Sequence, residues 1–91
     1  MNVRKEFRIN GKHCFVIDAV LQRNGTYHIY ARLYPPDIHQ RGAHHNHLLA
    51  GNQICVAAGR EPRSAEAAVK IGRCWAEGWS KYITTGTFPS C

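Results

Sequence analysis

Long apolar runs are missing from this chain of 91 residues. No stretch approaches the roughly 20 residues that a helix needs to cross a bilayer, so nothing reads as a membrane span. The opening residues, Met1-Asn2-Val3-Arg4-Lys5-Glu6-Phe7-Arg8, are charged and lack the apolar centre of a secretory signal, which points to a cytoplasmic protein. Acidic residues are scarce, 6 against 12 lysines and arginines, and no two carboxylates stand at the spacing of an acid–base pair. A glycine-rich phosphate loop and a serine in an elbow motif are also lacking, which removes the commonest nucleotide-binding and acyl-transfer classes. A ribonuclease built on histidine survives, because one imidazole beside an Arg or Lys can assist phosphodiester cleavage. Cys14, Cys55, Cys74 and Cys91 form no C-x-x-C pair. In a chain without a signal segment, that wide spacing predicts reduced thiols and no disulfide framework.

What is present describes a single small domain over 1–91, with a core spanning about 3–83, a His/Gly-rich loop at 37–52 and a polar tail at 84–91. The formal net charge of +6 favours an anionic partner, either nucleic acid or an acidic protein surface. The cations are dispersed from Arg4 to Lys81 with no basic run, so charge alone does not choose between those partners.

Ser64 to Ile83 has the clearest periodicity. At about 100° per residue, Ala65, Ala68, Val69, Gly72, Trp75, Ala76, Trp79, Tyr82 and Ile83 line one stripe, and Glu66, Lys70, Arg73, Glu77 and Lys81 line the opposite one. Glu66–Lys70, Arg73–Glu77 and Glu77–Lys81 are spaced to pair along a solvated face, and Ser64 is a suitable N-cap. Gly72 in the middle of the apolar stripe predicts close approach of helix backbone to a bulky sheet residue such as Phe15 or Tyr27. Gly78 lies off that stripe without a comparable reason.

The helix needs a surface to lie on, and the residues before it read as strands. Val3 to Ile9 runs into Asn10-Gly11, a strong hairpin signal. His13 to Gln22 follows, then a turn, then Thr26 to Tyr34. A three-residue turn, Arg23-Asn24-Gly25 with Gly25 left-handed, sets Ile17 opposite Ala31 and Phe15 opposite Leu33, gathering the more apolar residues on one face. Pro35-Pro36 ends this strand, and Gln53 to Ala58 reads as a short fourth. The expectation is an α+β fold: an antiparallel meander of three to four strands, β-β-β-β-α, with one amphipathic helix across one sheet face.

Two constellations stand out. His39, His44, His45 and His47 crowd the long loop and are the candidate metal ligands; the competing reading is a solvated loop whose imidazoles titrate near neutrality, with no metal and no other cofactor. His28, Tyr30, Arg32 and Tyr34 alternate onto the sheet face away from the helix, above Val16 and Val20. Aromatic rings interleaved with a cation on an open sheet can anchor a protein partner, pair two copies of the chain or stack bases, and the plain alternative is cross-strand stabilisation of a half-exposed sheet.

The chain resembles the HicB-like antitoxin domain in several short motifs. They are Gly25-Thr26-Tyr27-His28-Ile29, Tyr34-Pro35-Pro36-Asp37-Ile38, Cys55-Val56-Ala57-Ala58-Gly59 and the helix start Ser64-Ala65-Glu66-Ala67-Ala68. The likeness spans about sixty residues in an arrangement of strand, strand, strand, helix. It implies a non-enzymatic protein that masks a small partner, in a phage or mobile-element setting. Thr26-Tyr27-His28-Ile29-Tyr30-Ala31-Arg32 is also similar to the Gly-Ser-His segment of the HicA-like toxins, small ribonucleases of double-stranded-RNA-binding type, and carries His28 over as a catalytic residue.

Overall fold

The computed structural model describes residues 2–42 and 46–89. Three strands, β1 (Val3–Ile9), β2 (His13–Leu21) and β3 (Tyr27–Leu33), form an antiparallel sheet in the order β1-β2-β3, followed by one long helix, α1 (Ala65–Thr85). Asn10 (φ 56°) and Gly11 (φ 70°) both turn left-handed between β1 and β2, the conformation that Asn-Gly adopts most readily in a tight hairpin. The second turn has the expected three residues: the Gln22 N–H donates to the Thr26 carbonyl (2.8 Å) and Gly25 is left-handed at φ 84°.

That turn aligns Ile17 with Ala31 and Ala19 with Ile29, but the register then shifts, and Val16 lies opposite Leu33. Arg32 is the extra residue of a β-bulge, so every later side chain changes face. Leu33 is thereby turned outward and is 52% exposed, correcting its expected place opposite Phe15. Tyr34 is turned inward instead.

The sheet's inner face and α1 enclose the core: Phe15, Ile17, Ala19, Ile29 and Ala31 against Ala68, Trp75, Ala76, Trp79 and Tyr82. The helix stripe is the expected one. The Ser64 hydroxyl accepts from the Ala67 N–H (3.1 Å), and Gly86, at φ 83°, closes the C-terminus by donating to Tyr82 O. Arg73 and Glu77 approach within 3.9 Å on the solvated side, with both side chains more than half exposed; such a pair contributes only a few tenths of a kcal/mol. Buried Ser80 is held across the molecule by His13 (2.6 Å) and Asn10 (3.4 Å) from the first hairpin.

The helix backbone lies closest to the sheet at Gly72, as its place in the stripe predicts, although the neighbours are Ile17 and Ile29 and not Phe15 or Tyr27. A Cβ there would sit 2.8 Å from Ile17 Cγ2. Gly78 has a reason invisible in the periodicity: Phe88 from the tail lies over it, and a Cβ would meet that ring at 2.5 Å.

The expected fourth strand does not form. Ile54 N–H donates to Ile29 O (2.8 Å) and Tyr30 bridges Gln53, but Cys55 N–H and Leu49 N–H then bond back to His47 O and Gln53 O within their own loop. Local closure takes the hydrogen bonds that a ladder along β3 would have used. The long loop is tied to the helix just before its start and again near its middle: Trp79 Nε1–H donates to Pro35 O (2.9 Å) and Trp75 Nε1–H to Asn46 O (3.2 Å). Cys14 and Cys55 carry free, exposed thiols, but Cys74 is disulfide-bonded, so the expectation of reduced thiols fails there. Among the described residues no helix is long and apolar enough to cross a membrane.

Replacing Gly72 by Ala gains about 1 kcal/mol of helix propensity but forces a contact against Ile17, which is buried and cannot rotate away. Overpacking of this kind costs about 1–3 kcal/mol. Gly72→Ala should therefore lower the thermal midpoint by several degrees in a calorimetric scan, and a raised midpoint would contradict the close approach.

Candidate functional site: the outer sheet face

The cross-strand register places Arg4, Glu6 and Arg8 of β1, Cys14, Val16, Asp18 and Val20 of β2, and His28 and Tyr30 of β3 on the face away from α1. Val16, Val20, His28 and Tyr30 are half-buried and Arg32 is exposed, and α1 packs on the opposite face of the sheet. The centre of this face is an ion-paired row that the sequence pattern did not single out. Asp18 accepts two hydrogen bonds from Arg4, at 2.6 and 2.8 Å, and one from Arg32 Nε at 2.9 Å. One carboxylate thus joins all three strands. The Arg32 guanidinium also lies 4.7 Å from the centre of the Tyr30 ring, and the Tyr30 hydroxyl stands 3.4 Å from His28 Nδ1. The signal for Asp18 was there: an acid flanked on its own face by Val16 and Val20, within an otherwise apolar run from Cys14 to Leu21.

Tyr34 does not belong to this face. Its ring stands edge-on to Trp75 (6.1 Å) and Trp79 (5.3 Å), and its hydroxyl donates to Asn52 Oδ1 (3.0 Å). The bulge at Arg32 is the cause. The contact set named from sequence therefore reduces to His28, Tyr30, Arg32, Val16 and Val20, with Arg4 and Asp18 added and Leu33 at its margin.

The loop histidines go to separate places. His39 Nε2–H donates to Ile83 O (3.0 Å) and its ring packs on Tyr82, while Arg41 donates to Gly86 O (2.9 Å). Both side chains satisfy carbonyls at the C-terminus of α1, where positive charge is favourable. The His47 ring lies 4.8 Å from that of Phe88. His44 and His45 lie outside the described residues, and among the described residues no three His, Cys, Asp or Glu side chains converge as metal ligands. Asp37 organises this loop, accepting from His39 N–H, Gln40 N–H and Asn46 Nδ2 at 2.9–3.0 Å. Burial pushes its carboxyl up, but these bonds and one from Tyr82 outweigh that and hold it below the usual range.

Both edges of the sheet are accounted for differently. Residues 53–54 lie along β3. The edge at β1 carries Arg4, Lys5, Glu6 and Arg8, with Lys5 standing opposite Ile17 on the helix-facing side. Charges on an edge strand, and an inward-pointing lysine above all, oppose the addition of another strand. The broad outer face is thus a better contact surface than the edge.

No protein-family model, curated protein or solved structure matches this chain.

Hydrogen bonds from Arg4 first, and then from Arg32, hold the Asp18 carboxyl at about 2 against the upward effect of burial. Because the folded value is depressed, the stabilisation is present above the unfolded value of about 3.9 and is lost as pH falls towards 2. In urea titrations Asp18→Asn should be less stable than the parent at pH 6, with the gap closing between pH 4 and 2. A gap independent of pH would mean that the row contributes nothing through charge.

Proposed function

We propose that this chain is a small non-enzymatic binding module that contacts a protein partner, or a second copy of itself, through the outer sheet face. The observation that carries this is the uncovered row Arg4–Asp18–Arg32 with Val16, Val20 and Tyr30 around it. Half-buried apolar side chains there lose little conformational freedom on docking, because strand pairing already restrains them. The arginines are held by Asp18 in one orientation, so a partner would meet a prearranged pattern of donors. The HicB-like resemblance and its phage or mobile-element setting are in keeping with a module of this kind and belong to the same proposal.

RNA binding, with or without cleavage by His28, is less well supported by the same geometry. Stacking a base needs a free aromatic face, and Arg32 covers one side of Tyr30. The arginines of this row that would meet phosphate are neutralised in part by Asp18. An affinity for RNA falling steeply with added salt, abolished by His28→Ala without loss of fold, would instead favour the ribonuclease.

The double substitution Tyr30→Ala with Arg32→Ala removes the ring and one arginine but leaves Arg4 with Asp18, so the helix signal in circular dichroism should persist. Capture of a partner from native-host extract, and self-association in sedimentation velocity, should both fall at least about tenfold in affinity, a loss of roughly 1.4 kcal/mol or more. Binding that survives the double change would remove the outer face from consideration.

A further inference from the structure

On the other side of the molecule a groove of about 620 Å³ lies between α1, the segment after Ile54 and the tail at Phe88. Its size falls within the range of roughly 300–1,000 Å³ typical of small-molecule sites. Ile54, Ile71, Trp75 and Phe88 supply its apolar wall, and its only charged lining residues among those described are Arg60 and Lys70. Both cations are exposed, and among the described residues neither is engaged in an ion pair.

Local structure explains why these charges are left over. Glu61, the acid beside Arg60, is folded back so that both its carboxylate oxygens accept from Gly59 N–H, at 2.9 and 3.1 Å. Glu66, one turn before Lys70, lines a different depression with Val3 and Lys5, and among the described residues its expected pairing with Lys70 is not made. An apolar trough is therefore lined by two cations that the nearest acids in sequence do not neutralise.

We propose that this groove binds a small amphipathic anion, an aliphatic or aromatic body ending in one carboxylate or sulfonate. The head would be held between Arg60 and Lys70 by charge-assisted hydrogen bonds. The body would lie along Ile71 and Trp75, with Phe88 closing the trough over Gly78. This site is separate from the outer sheet face and stands whether or not that face binds a partner.

The test uses the full chain and the fluorescent probe 8-anilinonaphthalene-1-sulfonate, displaced in parallel by dodecanoate and by dodecanol, which share a body and differ in charge. The site predicts saturable binding of one probe per chain, displacement by dodecanoate at concentrations at least about tenfold lower than dodecanol, and quenching of tryptophan emission. Arg60→Glu with Lys70→Glu should weaken probe binding by at least about tenfold, the scale of one lost charge-assisted contact. Arg60→Lys with Lys70→Arg should keep it, and Tyr30→Ala with Arg32→Ala should not affect it. Both cations are exposed, so circular dichroism should report an unchanged fold in each variant. Equal displacement by the alcohol and the acid, affinity unchanged by the charge reversal, or no saturable binding would each overturn the proposal.

Discussion

The contact between the backbone of α1 at Gly72 and the side chains of Ile17 and Ile29 governs the rest of the molecule. Only at a residue without a Cβ can the helix lie this close to the sheet. With the axis so low, Trp75 and Trp79 reach past the sheet on the side of β3. There their rings pack at 4.9 Å, tilted by 32°, receive Tyr34 edge-on, and extend their indole N–H groups to Pro35 and Asn46. Burial of these large rings supplies apolar area, and the two donors bind a loop that would otherwise be free. The organised loop, the histidine and arginine at the helix C-terminus and the position of the 53–54 segment all follow from that placement.

One helix covers one face of a sheet. The second face is left to hold itself together, and Asp18 does so by bonding to an arginine on each neighbouring strand. An ionised carboxylate at that position is a poor choice for stability alone, because exposed ion pairs contribute little and apolar cross-strand pairs would serve. A face that keeps a charged centre while retaining half-buried Val16, Val20 and Tyr30 has the mixed character of a contact surface. The groove beside Trp75 has a comparable mixture on a smaller scale, with two cations among its apolar lining.

Elements set by repeated local preference were legible in the sequence, and those set by a single competition were not. The helix could be read from nine stripe positions that agree with one another, and the three-residue turn from the requirement that Ile17 and Ala31 share a face. The bulge could not, because Leu33 and Tyr34 are both apolar enough to face the core. The choice falls to Tyr34 since only a ring reaches both tryptophans, and it moved one residue of the expected contact set to the opposite face. Gln53 to Ala58 has the composition of a strand, but the loop before it offers nearer hydrogen-bond partners. Phe88 was hidden in a polar tail, and the trace of it was a glycine, Gly78, that the periodicity left unexplained. Asp18 was visible as an acid among valines, but its two arginine partners required the register.

The central claim is that α1 leaves the outer face open while sealing the inner one. Cysteine substitutions at adjacent positions of β2 test it directly, with labelling by a small maleimide followed by mass spectrometry and with Cys14 as an internal reference, since it lies exposed on the same face. Val16→Cys and Val20→Cys should be modified on the timescale of Cys14 in the native chain, whereas Ala19→Cys should react only as the protein unfolds. Protection of positions 16 and 20 equal to that of position 19 would contradict the account.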